Sequence, residues 1–502
     1  MLYLYAMKGI NFRKNLIHIQ FTWHFYRNLF SAAAFICMLL ISSCARYEPA
    51  ALDPGYDAES LNNESISISI EESIDETESE GSGKEAAEAL SEEASKQADS
   101  RVPARVKGIY VASKPLANES FMSSFWDVMD STELNAVVID IKDDYGKIAY
   151  DMKGVPALDE LNSIEAVIED MPSLMKKFKE HGVYTIARIV SLRDPNLADT
   201  WPEVCMTNPD GTVFKDGSGY AWVNPYKTEY WELLLDIAMQ CAEDGFDEIQ
   251  FDYMRFCTEK GSDDCIFDEE EVKGRDKISI ITELVDYLYC NLRERGVFVS
   301  VDCFGTIIGS KVDSRAVGQN YGQLSSVLDY ICPMIYPSHY SSGNFGLEHP
   351  DTRPYEAVSG ALNRSRNELA RAKNDANEHQ AVVRPWLQSF TASWLGEGNY
   401  IKYDADAIRK QIQAVYDSGY DEWLLWSASV SYDFDAMLTD SQAAEEDQRI
   451  AESRAALPPE EDPLISEEET FPDELQKALE NDDLRPEDEQ ILLEDGPIVT
   501  YE

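Results

Sequence analysis

Hydrophobic positions alternate with small or polar ones in eight short runs along the middle of the chain. They are VKGIYVAS from Val106, NAVVIDIKDD from Asn135, VYTIARIV from Val183, FDEIQFDYMRF from Phe246, VFVSVDCFG from Val297, YICPMIYPSHY from Tyr330, AVVRPWLQSF from Ala381 and EWLLWSAS from Glu422. Each run but the last is followed by a stretch of helical character. In FMSSFWDVMDSTEL, for example, Phe121, Phe125, Val128 and Met129 form one stripe. The helical stretches SLMKKFKEHG from Ser173, EYWELLLDIAMQCAEDG from Glu229, DKISIITELVDYLYCNLRERG from Asp276 and DADAIRKQIQAVYDSG from Asp404 each end on glycine, as helix caps do. Eight strands, with a helix after each but the last, predict an α/β fold, a (β/α)8 TIM barrel over residues 105–438, with functional residues at the carboxyl ends of its strands.

Strand parity sorts the side chains. In FDEIQFDYMRF, Ile249 and Phe251 belong under the helices, leaving Gln250 and Asp252 to face the barrel axis. The same rule turns Ser300 and Asp302 inward on the fifth strand, Asp140 and Lys142 on the second, and Arg188 on the third. Three acids, Asp140, Asp252 and Asp302, thus converge on one mouth. Tyr253, Tyr336, His339, Trp386, Gln388 and Trp426 stand at the ends of other strands. Acids ringed by aromatic faces and polar groups suit a sugar site. Ser191 to Tyr230, about 40 residues, is far too long for a turn and contains hairpin signals. Its Trp201, Tyr220, Trp222 and Tyr226 either line a cleft or pack the loop on itself.

The flanks differ in kind. Lys8, Arg13, Lys14 and Arg27 precede an apolar run, Leu29 to Leu40, that is short for a membrane span. It leads into Ile41-Ser42-Ser43-Cys44, which resembles the lipobox of bacterial lipoprotein signal peptides. That resemblance implies a signal peptide over residues 1–43, lipidation of Cys44 and a lipid-anchored protein on the extracytoplasmic face of the cell membrane. Residues 44–104 are rich in Glu, Ser, Ala and Asp and predict a disordered acidic spacer. Residues 439–502 predict an acidic disordered tail, with a short helix around Glu474 to Leu479. The two segments carry a large part of the formal charge of -50.

That charge argues against nucleic acid, whose phosphates need clustered Lys and Arg. With no Gly-x-Ser-x-Gly elbow, no Gly-x-Gly-x-x-Gly after a strand and no phosphate loop, serine-hydrolase and nucleotide chemistry lack their usual signatures. The cysteines show no zinc spacing, so neither a metal site nor a cofactor is expected, and a monomer is. Cys257 and Cys265 are close enough to clip the loop after the fourth strand in an oxidising compartment.

FDYMRF, VSVDCFG, VIDIKDDYG and ICPMIYPSHY, in their order and at these strands, resemble the glycoside hydrolase family defined as domain of unknown function 4015, distantly α-amylase-like. The likeness spans about Arg105 to Asp435. It implies a glycosidase that cleaves an extracellular or cell-wall polysaccharide or oligosaccharide through two carboxyl groups. Carried over by position, Asp252 is the nucleophile and Asp302 the acid/base. The chain departs from the amylase-like pattern at Gln250, where an arginine is usual, and at Asp302, where glutamate is usual. Arg188 or Arg255 is then left to supply the cation. Asp140 is the rival partner for Asp252 or a sugar ligand, with Lys142 beside it. The alternative function is a non-catalytic carbohydrate-binding surface lipoprotein.

Overall fold

The computed structural model describes residues 101–373 and 379–456. All eight alternating runs form parallel strands: β1 Lys107–Val111, β2 Ala136–Lys142, β3 Tyr184–Val190, β4 Glu248–Asp252, β5 Phe298–Phe304, β6 Tyr330–Ile335, a seventh in two pieces, β7 Val382–Val383 and β8 Trp386–Gln388, and β9 Trp423–Trp426. The sheet runs β5-β4-β3-β2-β1-β9-β8-β6-β7 and closes through β5 and β6, giving a (β/α)8 barrel. The seventh strand is split at Arg384-Pro385 because proline has no N–H to give to a ladder.

The parity rule explains the two hydrophobic layers. Val137, Ile139, Ile249, Phe251, Val299 and Val301 lie in the core between strands and helices. Tyr110, Val138, Ile186, Phe298, Cys332, Trp386 and Leu424 fill the barrel interior. The helices begin on side-chain caps, such as Asn118 for Glu119–Met129, Asp170 for Met171–Glu180, Asp276 for Lys277–Arg293 and Asp404 for Ala405–Asp417. At Gly245, φ is +98°, which lets the chain leave helix Thr228–Glu243 and enter β4 within a few residues.

At the amino end of the barrel, Arg384 is fully buried inside. Its Nη1 donates to both oxygens of Glu248 at 2.8 Å, its Nε donates to Glu422 at 2.7 Å, and its guanidinium sits 3.8 Å from the centre of the Tyr330 ring. This charged plug closes the end opposite the mouth.

Both expected domain boundaries need correction. The chain is already docked at Arg101, inside the expected spacer: Arg101 donates to Asp329 and to the Val297 carbonyl, each at 2.7 Å, and lies over the Phe298 ring. At the other end, Asp440–Ala456 is a helix on the barrel, not disordered tail. Ala443 and Ile450 are buried, Glu446 and Asp447 each accept a 2.8 Å ion pair, from Arg409 and Arg105, and Arg454 pairs with Asp421 at 2.9 Å. Its acids look like a solvated run in the sequence because their basic partners lie on other elements. The signal segment, Cys44, most of the spacer and residues 457–502, including Glu474 to Leu479, lie outside the described residues. Among the described residues no helix is long and apolar enough to cross a membrane.

Candidate active site

β4 and β5 are neighbours in register, Gln250 opposite Ser300 and Phe251 opposite Val301. The next residues, Asp252 and Asp302, therefore stand level at the carboxyl end on backbones roughly 5 Å apart. Both carboxyl groups face the barrel interior. Asp302 is only 3% exposed, and its Oδ1 accepts a 2.7 Å hydrogen bond from Trp386 Nε1. Burial first, and the Asp252 charge second, hold the Asp302 carboxyl well above the usual carboxylate range. Both effects favour the protonated form of Asp302.

Asp252 is tied to an arginine and to the backbone. Arg188, from β3, donates to its Oδ2 through Nε at 2.9 Å and Nη2 at 2.6 Å, and its Oδ1 accepts from the backbone N–H of Tyr253 at 2.6 Å. That last bond needs an unusual backbone. Tyr253 has φ of +51°, a left-handed conformation that a bulky side chain seldom adopts. The turn is fixed by Leu192 N donating to the Tyr253 carbonyl at 3.2 Å and Arg193 donating to the Tyr253 hydroxyl at 2.7 Å.

The other Arg188 nitrogen, Nη1, donates to Asp140 at 2.6 Å. Tyr110 donates its hydroxyl to the second Asp140 oxygen in a short bond. Burial pushes the Asp140 carboxyl up to about 6 against the opposing pull of Arg188. With both oxygens engaged, Asp140 orients Arg188, and Arg188 orients Asp252. Tyr110 was not singled out from the sequence, although the parity that turns Asp140 inward also turns Tyr110 inward on β1.

The remaining sequence candidates divide sharply. Trp426, at the end of β9, lies tilted 4.2 Å from Tyr110 and edge-on 5.7 Å from Trp386. Tyr336 lies at the end of β6, edge-on to His339 at 5.1 Å. Burial lowers the His339 pKa to about 4, so this ring is neutral at physiological pH. Lys142 does not join the group. A register shift in β2 between Asp140 and Lys142 turns its side chain, 2% exposed, onto the Val190 carbonyl and Asp194, each at 2.8 Å. Gln388 is fully enclosed, its Nε2 donating to Asp351 at 2.9 Å and its Oε1 accepting from Ser338 N at 3.0 Å. Trp386 is 1% exposed, so it positions Asp302 rather than presenting a face to a sugar.

Exposed aromatics at the rim come from loops instead. Tyr145, after β2, is 59% exposed, and Trp394, after β8, is 50% exposed and stacked on Phe390 at 5.8 Å. The long loop after β3 does form a hairpin, bridged at Thr207 to Val213 and Lys215 to Ala221. Its Trp222 and Tyr226 are buried in packing, Trp222 donating to Asp216 at 2.9 Å. Cys257 and Cys265 are free thiols here, packed with Met206, Phe214 and Trp222. Among the described residues no three His, Cys, Asp or Glu side chains gather as metal ligands would.

Replacing Trp386 with Phe keeps the ring and deletes one donor. Because that bond favours the Asp302 carboxylate, its loss should move the alkaline limb of kcat/KM to higher pH. An unchanged pH profile would refute a positioning role for Trp386.

A closed parallel barrel with a buried acid beside an arginine-paired one at its mouth has the architecture of a barrel glycosidase. Residues 108–432 match the family described as "Putative glycosyl hydrolase domain", domain of unknown function 4015. The chain belongs to that family, and it is an enzyme of the glycosidase class. Among solved structures, it is similar to a hypothetical protein from Ruminiclostridium thermocellum ATCC 27405, with 31% identity over 39% of this chain and 96% of that one, at a TM-score of 0.35. The PgaB (BpsB) glycoside hydrolase domain from Bordetella bronchiseptica matches at 12% identity over 69% of this chain and 99% of its own, TM-score 0.47. The alpha-galactosidase TtGalA from Thermus thermophilus matches at 10% identity over 70% and 63%, TM-score 0.40. No curated protein matches the chain.

Proposed function

We propose that the barrel hydrolyses a glycosidic bond in an extracellular or cell-wall polysaccharide, with Asp302 as acid/base and Asp252 as nucleophile. The observation that carries this reading is the contrast between two adjacent acids: Asp302 buried against Trp386 with its pKa raised, Asp252 paired with Arg188. In the first step Asp302 gives its proton to the leaving oxygen as the C–O bond breaks, and an Asp252 oxygen bonds to the anomeric carbon. In the second, the Asp302 carboxylate takes a proton from water, which attacks that carbon and frees Asp252. Arg188 keeps the attacking oxygen aimed, and Tyr145 and Trp394 offer exposed faces on which pyranose rings stack.

The test is a screen of the protein against bacterial and plant polysaccharides for new reducing ends. Release from any of them supports the hydrolase. Binding with no release from any of them would favour a sugar-binding protein. Location is part of the same proposal: lipidated Cys44 tethers the barrel at the cell surface. Cys44→Ala should then move the protein from the membrane fraction to the soluble one, and retention in the membrane would refute the anchor.

A further inference from the structure

Of the four cations Lys142, Arg188, Arg193 and Arg255, which stand at or just beyond the ends of β2, β3 and β4, three have acid partners. Arg188 is divided between Asp140 and Asp252, Lys142 is bound to Asp194 at 2.8 Å, and Arg193 has Asp144 at 3.6 Å and Asp216 at 3.8 Å. Arg255 has none among the described residues. Its one protein hydrogen bond runs from Nη1 to the backbone carbonyl of Phe256 at 2.9 Å. Aromatic rings surround the guanidinium, with Trp222 and Phe304 each 4.7 Å and Tyr253 5.4 Å from its centre. Burial lowers the Arg255 pKa, the reverse of what ion pairing does for Arg188 and Arg193.

A desolvated guanidinium without a carboxylate is costly, and rings repay only part of that cost. They also orient it. With aromatic surfaces against the guanidinium, the free N–H groups of Nε and Nη2 form an edge suited to a planar oxyanion. The place matters as much as the chemistry. Arg255 lies three residues beyond Asp252, and Phe304, which packs on it, lies two beyond Asp302. The chain segments that carry the catalytic pair therefore carry this cation as well.

We infer that Arg255 binds a carboxylate on the sugar next to the scissile bond, so that the substrate is an acidic glycan such as a polyuronide or a glycan with a carboxylated substituent. This rests on the glycosidase reading for the word substrate, but the carboxylate subsite can be tested apart from cleavage. A carboxylate fits better than a dense polysulfate, because Asp144 stands beside Arg188 and Arg193 and, of these four cations, Arg255 alone has no acid partner.

The experiment uses the full chain carrying Asp302→Asn, titrated with polygalacturonate, alginate, hyaluronan and peptidoglycan glycan strands. Each is paired with the same polymer after reduction of its carboxyl groups to alcohols. At least one acidic form should bind tenfold or more tighter than its reduced partner. Adding Arg255→Gln should erase that difference, and Arg255→Lys should restore part of it. Equal binding of acidic and reduced forms, binding of neither, or a preference that survives Arg255→Gln would overturn the inference, as would tighter binding of dextran sulfate than of any carboxylated glycan. Reducing-end release by the wild-type chain separates the two claims. Cleavage without acid preference sinks the subsite and keeps the hydrolase, whereas acid-selective binding without cleavage keeps the subsite and sinks the hydrolase.

Discussion

Asp302→Asn should lower kcat on a natural glycan by about 10²- to 10⁴-fold, the usual contribution of a positioned general acid. The loss should shrink on aryl glycosides whose leaving groups need little protonation. Asp252→Asn removes the attacking atom, so its loss should be at least as large and independent of the leaving group. A pair of variants that respond identically to the leaving group would refute the division of roles. The pH dependence has a definite sign. Asp302 acts in its protonated form, so kcat/KM should fall as pH rises through its elevated pKa, and Asp302→Asn should flatten that alkaline limb. Stability moves in a linked way. A carboxyl whose folded pKa is raised binds more protons folded than unfolded, so the folded state loses stability as pH climbs from the unfolded carboxylate value toward the folded one. Asparagine still accepts the Trp386 hydrogen bond but has no charge to bury. Asp302→Asn should therefore be far slower on natural glycans yet have a higher Tm than the wild type at neutral and alkaline pH.

Arg384→Leu should destabilise the barrel by about 3–5 kcal/mol, the typical cost of removing one partner from a buried ion pair. Glu248 is fully buried and takes two of the Arg384 hydrogen bonds, so the substitution strands a carboxylate in the interior. A urea-unfolding midpoint reads the loss. Replacing the whole group, Arg384→Leu with Glu248→Met and Glu422→Met, should recover most of it, because apolar side chains of similar volume carry no desolvation penalty. A change below about 1 kcal/mol for Arg384→Leu alone would show that the plug contributes little. The plug and the mouth lie at opposite ends of the strands, so kcat of the folded variant should be retained.

Much of this architecture is readable from period alone. A strand buried on both faces still alternates, because one face must fit the interior of a barrel and the other must fit helices. That is why parity alone turns Asp252, Asp302, Asp140 and Arg188 inward, where they meet one another and Trp386, and why the same rule applies to Tyr110. The rule fails where the backbone departs from the ideal. Lys142 follows a shift in register, and a bulge has no reliable signature in one sequence. The acidic stretch from Asp440 reads as tail because Arg409, Arg105 and Asp421, which hold it, are remote in sequence.

What the sequence determined by itself is the order of eight strands and their helices and the acids that face the interior at one end of the barrel. Those depend on local periodicity, which needs no partner to be legible. Only the closed barrel decided how charges are shared: Arg188 between Asp140 and Asp252, Trp386 on Asp302, Lys142 and Gln388 consumed by internal bonds, and Arg255 left without an acid. Pairing is a property of distance in space. Which side chains are spent on a neighbour follows from which residues the closure brings within hydrogen-bond reach.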